Sequence, residues 1–360
     1  MAEQGRPDRV ISQALGRRGG REDALAHRRP RARRTLGPAV LLAALAAVVL
    51  ASMALGAQAL PFDQVWRVLW ERDGSEASII VWTQRWPRTI IGIVVGVSFG
   101  VAGALIQALT RNPLAEPGIL GVNAGAGFAV TVGVGVFGLS GITGYVWFAF
   151  LGAAAATLLV YLVGSAGRGL VSPVTLVLAG VALGAVLNGF STFLTLIDPE
   201  TFRSIRNWGL GSIADTSLDD TGAVLPFLTV GLVLAVLIAG PLNAIALGDD
   251  LAASLGTKVI RTRVLGVIAL TLLAGGATAL TGGIGFVGLV VPHVVRWFTG
   301  PDQRWIIVCS GLAAPVLVLA ADVLGRVIAR PGEIEVGILT AVIGAPVLIA
   351  LVRSRKVSEL

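Results

Sequence analysis

The sequence predicts an all-α membrane protein, a polytopic bundle of about ten transmembrane helices, from composition, run length and the absence of alternation. The 360 residues are 55% hydrophobic and only 14% charged, with mean hydropathy +0.83. A soluble globular domain carries roughly 25% charged residues. Run after run reaches about 20 apolar residues, the length that crosses a hydrocarbon core of roughly 30 Å at about 1.5 Å per residue. Val40 to Met53 is apolar apart from one Ser, whereas a membrane barrel alternates polar and apolar positions.

Residues 1–35 hold ten Arg against four acids, while the remaining 325 hold 18 basic and 17 acidic residues. This basic tail is expected to be disordered and to anchor the amino terminus on the cytoplasmic side of the first span, with residues 36–360 forming the membrane domain. Binding of nucleic acid or anionic lipid by the tail is the competing reading. The tail, and the apolar run after it, are too long for a cleaved secretory signal.

Apolar runs bounded by polar or Gly/Pro clusters place helices near 37–60, 89–109, 117–138, 145–165, 173–196, 222–242, 264–281, 285–298, 305–323 and 336–352. Ten spans with a cytoplasmic start put both termini in the cytoplasm. The eighth run is short and contains Pro292. Pro61 to Arg88, Asp198 to Thr221 and Asp322 to Val336 are expected as external loops. The first has an apolar rhythm in Phe62, Val65, Trp66, Leu69 and Trp70 that suggests a short interfacial helix. Gly92, Gly96, Gly100 and Gly103 form a ladder that lets helix backbones approach, within the chain or between subunits.

The sequence has no phosphate-loop motif, and its two lysines are Lys258 and Lys356. ATP hydrolysis by that route is excluded, and no catalytic residue is expected. No Asp, Glu or Lys falls near the centre of a predicted span, where a charge costs about 2.5–3.5 kcal/mol, so a proton- or sodium-coupled carrier is disfavoured. Cys309 is the single cysteine and is expected to be a buried apolar side chain. His27 and His293 show no metal-ligand spacing, and no metal site is expected.

Four features remain. Asp249, Asp250, Leu251, Ala252, Ala253, Ser254, Leu255 and Gly256 read as a short surface helix that starts at the two acids and ends at the glycine. It is either a capped connector or a rigid element that takes a push from a soluble partner. Arg111-Asn112-Pro113-Leu114-Ala115-Glu116-Pro117-Gly118 must break the helix, with Asn112 and Glu116 able to serve freed backbone groups. The break is a tight turn or lines a path. Arg85-Trp86-Pro87-Arg88, before the second helix, offers outward cations for an acidic partner or an interfacial anchor, and Arg326 and Arg330 raise the same question. Asn188, Ser191, Thr192 and Thr195 share one face of the fifth helix, as a translocation path or as a hydrogen-bonding seam.

From about Arg85 to the carboxyl end these residues resemble the FecCD-type permease subunits of ATP-driven importers for iron-siderophores, haem and vitamin B12. The resemblance is carried by Arg85-Trp86-Pro87-Arg88-Thr89 and by Gln107 to Ala126, which contains RNPLAEPGILGVNAGA. It continues in LVLAGVALG from Leu176 to Gly184 and in GIGFVGLVVPHVVR from Gly283 to Arg296. Ala321-Asp322 through Arg326, and Glu335-x-Gly337 onward to Ile343-Gly344-Ala345-Pro346, complete it. The basic tail lies outside.

The resemblance implies a type II ABC importer permease fold in the cytoplasmic membrane that pairs with a second permease, either a copy or a paralogue, around a central path. It implies no cofactor bound by this chain, ATP being used by a cytoplasmic ATPase subunit docked on Asp249 to Gly256. It implies that Arg85, Arg88 and Arg326 meet acidic residues of an extracytoplasmic substrate-binding protein. The loop of Ser172 to Thr175 would be the inner gate, although Pro173 and Val174 stand where some relatives have hydroxyl residues. Ferric siderophore import leads, with haem or cobalamin next. An autonomous secondary carrier, or a membrane sensor acting through its tail, is the reading from another class.

Overall fold

The computed structural model describes residues 36–165, 173–198, 203, 205, 206 and 208–353. The basic tail 1–35 and the gate residue Ser172 lie outside the described residues. The first span, α1 (Leu36–Ala54), leads into the short α2 (Phe62–Trp70). A long α3 (Glu76–Thr110) follows, then a 3-10 turn at Pro117–Leu120, α4 (Val122–Gly135), α5 (Gly141–Ser165) and α6 (Pro173–Ile197). The second half holds α7 (Leu218–Ala246), α8 (Asp249–Ser254), α9 (Val259–Thr281), α10 (Val287–Thr299), α11 (Gln303–Ile328) and α12 (Val336–Arg353).

Seven of these helices are long and apolar enough to cross a membrane, and α4, α10 and α12 are shorter apolar helices. Together they account for the ten apolar runs. The interfacial helix is present as α2. Phe62, Trp66 and Trp70 are exposed along one face, with Phe62 stacked on Trp66 and Trp66 meeting Trp70 edge to face, while Val65 and Val68 are buried.

Several boundaries differ from the sequence expectation, including the end of the first span, at Ala54 instead of near 60, and two that draw charged residues into helices. The second helix begins at Glu76 instead of near 89, so Arg85-Trp86-Pro87-Arg88 lies within it. A proline inside a helix lacks the N–H and crowds the preceding turn. Here the turns just before it, Ile80–Arg85, are widened into a π-helix, which lets the chain pass Pro87 without stopping. At the same end α11 continues to Ile328, so Asp322 and Arg326 are helical, not part of an external loop.

The core is assembled on α3, which packs most extensively along α11. The glycine ladder is used within the chain. A Cβ at Gly96 would sit 2.5 Å from Pro315 Cα, one at Gly100 would overlap the Ser310 carbonyl, and one at Gly103 would overlap Gly288 of α10. Lipid offers no hydrophobic drive for helix association, so this backbone contact supplies the packing. Gly125 and Gly152 make the equivalent approach between α4 and α5. Cys309 is fully buried in α11.

Candidate functional site

Charged and polar side chains gather at the two opposite ends of the bundle. At one end α1 stops at Ala54 and leaves its last carbonyls unpaired, as every helix does. Arg85 donates to the carbonyl oxygens of Met53, at 2.5 Å, and of Gln58. Arg326 donates to the Ser52 carbonyl at 3.3 Å and to Ser52 Oγ at 3.0 Å, and that hydroxyl pairs with Thr89 Oγ1 at 2.8 Å. Cations at a helix C-terminus also oppose its negative dipole end.

Arg88 lies between two carboxylates, Asp322 at 2.6 Å and Glu333 at 2.6 Å. Asp322 is completely buried and also lies 2.8 Å from Arg326 Nη2, an ionic contact off the line of a hydrogen bond. The three arginines predicted to face outward are therefore engaged inside the chain, with Arg85 only 4% and Arg326 only 3% exposed. They line one polar cavity of about 320 Å³ together with Gln58, Glu76, Gln84 and Glu333. Neither Asp322 nor Glu333 stands out as a site residue from the sequence. The i,i+4 spacing of Asp322 and Arg326 was the available signal for the first, and Glu333 carries none.

At the opposite end α8 begins at Asp249 and is flanked by Gly248 (φ 113°) and Gly256 (φ 83°), backbone angles that favour glycine. The short helix and its glycine stop fall where the spacing places them. Ala252 is buried, whereas Leu247, Leu251 and Leu255 are exposed, an apolar surface beyond the end of the spans. Asp250, Ala253, Ser254 and Gly256 are exposed as well. Asp249 is turned inward to Arg111 and Arg263.

The break after α3 works through side chains. Arg111 ends the helix in the left-handed region (φ 49°), and Asn112 Oδ1 accepts the Leu114 N–H at 2.9 Å. Pro113 is partly buried in this turn. Glu116 Oε1 accepts the N–H of Phe286 at 2.8 Å, where the chain turns with φ 66° into α10. Burial pushes the Glu116 carboxyl above the usual range against the opposing pull of that N–H. Gln107, absent from the sequence-derived site, donates to the carbonyls of Gly288 and Leu289 at 3.3 and 3.1 Å and accepts from Arg296. The break thus fastens α3 to α10.

The polar stripe of α6 lies on the outer surface of the chain. Asn188 and Thr192 are exposed, and Ser191 and Thr195 are partly so. The Ser191, Thr192 and Thr195 hydroxyls donate to carbonyls of their own helix at 2.8–2.9 Å, so among the described residues they form no seam to a neighbouring helix. Thr175, in the first turn of α6, is also exposed. The structure does not bring Thr175 and the stripe together with the arginine cluster or α8.

An all-helical, multi-pass bundle with a short connector helix outside the spans at one end and a buried arginine cluster at the other defines a membrane permease. Residues 44–354 match the FecCD transport family, and the chain belongs to it. It is 46% identical to the ferric enterobactin transport system permease protein of Escherichia coli strain K12, over 88% of this chain and 95% of that protein. It is 35% identical to a siderophore transport system permease protein of Bacillus subtilis strain 168, over 87% of this chain and 94% of that one. A solved structure described as an inward-facing conformation of a metal-chelate type ABC transporter superposes with TM-score 0.76 at 26% identity, covering 89% of this chain and 99% of its own.

Proposed function

We propose that this chain is a permease subunit of an ATP-driven importer that carries a ferric siderophore across the cytoplasmic membrane, with both termini in the cytoplasm. The observation that carries this reading is the pairing of two ends on one bundle. One end presents Leu247, Leu251 and Leu255 around a glycine-flanked helix, and the other presents a polar cavity closed by Arg85, Arg88 and Arg326. The likeness to the enterobactin permease supports the substrate class.

In this reading the exposed leucines and Asp250 receive a cytoplasmic ATPase subunit, which binds and hydrolyses ATP, and this chain holds no cofactor or metal. Asp249 to Gly256 act as the coupling segment. A substrate-binding protein meets the rim of the arginine cavity. Arg88 and Glu333 stand at that rim, and Arg85 and Arg326 hold its floor. A second permease, a copy or a paralogue, covers α6, whose Asn188, Ser191, Thr192 and Thr195 then face the path. Thr175, with Asn112 and Pro113, stands at the inner end of that path. ATP-driven closure of the ATPase shifts the bundle between outward and inward states.

The test is purification of the membrane complex with identification of every bound chain, followed by uptake of radiolabelled ferric siderophore, haem and cobalamin into proteoliposomes. ATP-dependent uptake of the ferric siderophore, requiring the copurified ATPase, is expected. Uptake driven by this polypeptide alone, or selective uptake of haem or cobalamin, overturns the proposal.

A further inference from the structure

The short helix α8 is poorly placed to transmit force through its backbone. It has six residues, no side-chain N-cap, and a glycine with positive φ at each side. Such flanks permit rotation about the chain, and a six-residue helix has little cohesion by itself. What holds it is lateral. Ala252 is fully buried against the bundle, and Asp249 is clamped by two guanidinium groups from different spans.

Arg111 comes from the C-terminal end of α3, where the left-handed backbone turns the chain out of the helix. Its Nη2 donates to Asp249 Oδ1. Arg263, in the second turn of α9, reaches the same carboxylate, with Nη2 3.0 Å from Oδ1 and 2.9 Å from Oδ2. The Asp249 and Arg263 side chains are 16% and 11% exposed, and Arg111 is 37% exposed. Both carboxylate oxygens are occupied within the chain. Asp250, one position later, is exposed.

Charged pairs in such partly buried sites are stronger and more directional than neutral hydrogen bonds. The clasp therefore joins three elements that the sequence separates. It also lies one turn from Gln107, which fastens α3 to the Gly288 and Leu289 carbonyls of α10. These contacts link α8 through Asp249 to α3 and α9, and through α3 to α10.

We propose that Asp249 is a positioning residue that ties α8 to α3 and α9 through Arg111 and Arg263, and that this clasp, not a contact of Asp249 with the ATPase, converts movement of α8 into movement of the spans. The proposal rests on the permease reading above. It separates the two neighbouring acids, leaving Asp250 to the partner surface and assigning Asp249 to the interior.

The test uses the full complex in proteoliposomes, reading siderophore transported per ATP hydrolysed together with the amount of ATPase that copurifies. Asp249→Asn and Arg111→Gln are expected to lower that ratio at least about five-fold with normal ATPase recovery, because each removes one side of the ion pair. Asp249→Glu, which restores the charge, is expected to recover it to within about two-fold, whereas Asp250→Asn, on the partner surface, is expected to lower ATPase recovery. Arg111→Gln changes the more exposed partner and keeps the test decisive if Asp249→Asn folds poorly. An unchanged ratio in Arg111→Gln, or loss of ATPase from Asp249→Asn with a normal ratio in what remains, overturns the clasp. A wild-type chain that recruits no ATPase overturns the wider permease reading instead.

Discussion

The helices α3 and α6 are both apolar enough to cross a membrane, with mean hydropathies of 2.3 and 1.9. Their surroundings are opposite. Within the chain 78% of an 18-residue apolar stretch of α3 is buried, against 6% of such a stretch of α6. Hydropathy reports the exclusion of a helix from water, and lipid tails are as apolar as leucine, so it cannot distinguish a central helix from a peripheral one. The distinction lies in small residues and their partners. The ladder of α3 meets backbone atoms of α10 and α11 at Gly96, Gly100 and Gly103, whereas of the α6 glycines Gly180 alone approaches backbone so closely, at Ile119, and Gly189 meets nothing within 4 Å among the described residues.

The largest effect that separates the two helices is expected at the buried ion cluster of α3 and α11. Asp322→Asn leaves Arg88 and Arg326 without their shared buried counter-charge and should cost about 3–5 kcal/mol, read as a lowered unfolding midpoint of the purified chain in detergent. A midpoint equal to wild type would show that the cluster contributes nothing to α3. Gly103→Ala is next, at about 1–3 kcal/mol or more, because the added methyl meets the Gly288 backbone and not a mobile side chain. Its effect should show as poor recovery of monodisperse protein, and normal recovery would refute the backbone contact.

Gln107→Leu should cost about 1–3 kcal/mol by leaving the Gly288 carbonyl, which gets no N–H from Pro292 four positions on, unpaired in a buried site. The same unfolding measurement checks it, and a neutral result would mean that α3 and α10 are held by packing alone. The smallest effect belongs to α6. Gly189→Ala has open space and removes a poor helix former, so the unfolding midpoint should stay equal or rise by an amount worth up to about 1 kcal/mol. A clear loss would mean that α6 packs within the chain more tightly than its exposure indicates. Asn188→Leu with Thr192→Val sharpens the contrast, since transport by the complex should fall while the isolated chain keeps its stability.

Much of the fold was legible because membrane insertion writes itself into the sequence as long apolar runs. The interfacial rhythm of Phe62 to Trp70 and the connector helix from Asp249 to Gly256 were legible for the same kind of reason, a local period followed by a local stop. The proline in Arg85-Trp86-Pro87-Arg88 misled the boundary of α3, because a π-turn that accommodates proline depends on backbone geometry and has no composition of its own. Charge at Asp322 and Arg326 looks like the end of a span in the sequence alone, whereas Arg88 and Arg326 are balanced by Asp322 and Glu333 and α11 runs on to Ile328. Of the candidate site, the residues of α8 and the break at Asn112 and Glu116 were recognisable as local signals, while Gln107 and Glu333 were not.

By itself the sequence determined which segments leave water, how many there are, and where the chain turns sharply, because these depend on residues close together along the chain. The tertiary structure decided which helix is central, which partner the glycine ladder meets, and that the arginines look inward. It also decided that Asp249 is held by Arg111 and Arg263, which lie 138 and 14 positions away. Those outcomes depend on which distant groups share a low-dielectric space, and an apolar run of given length is compatible with many such neighbours.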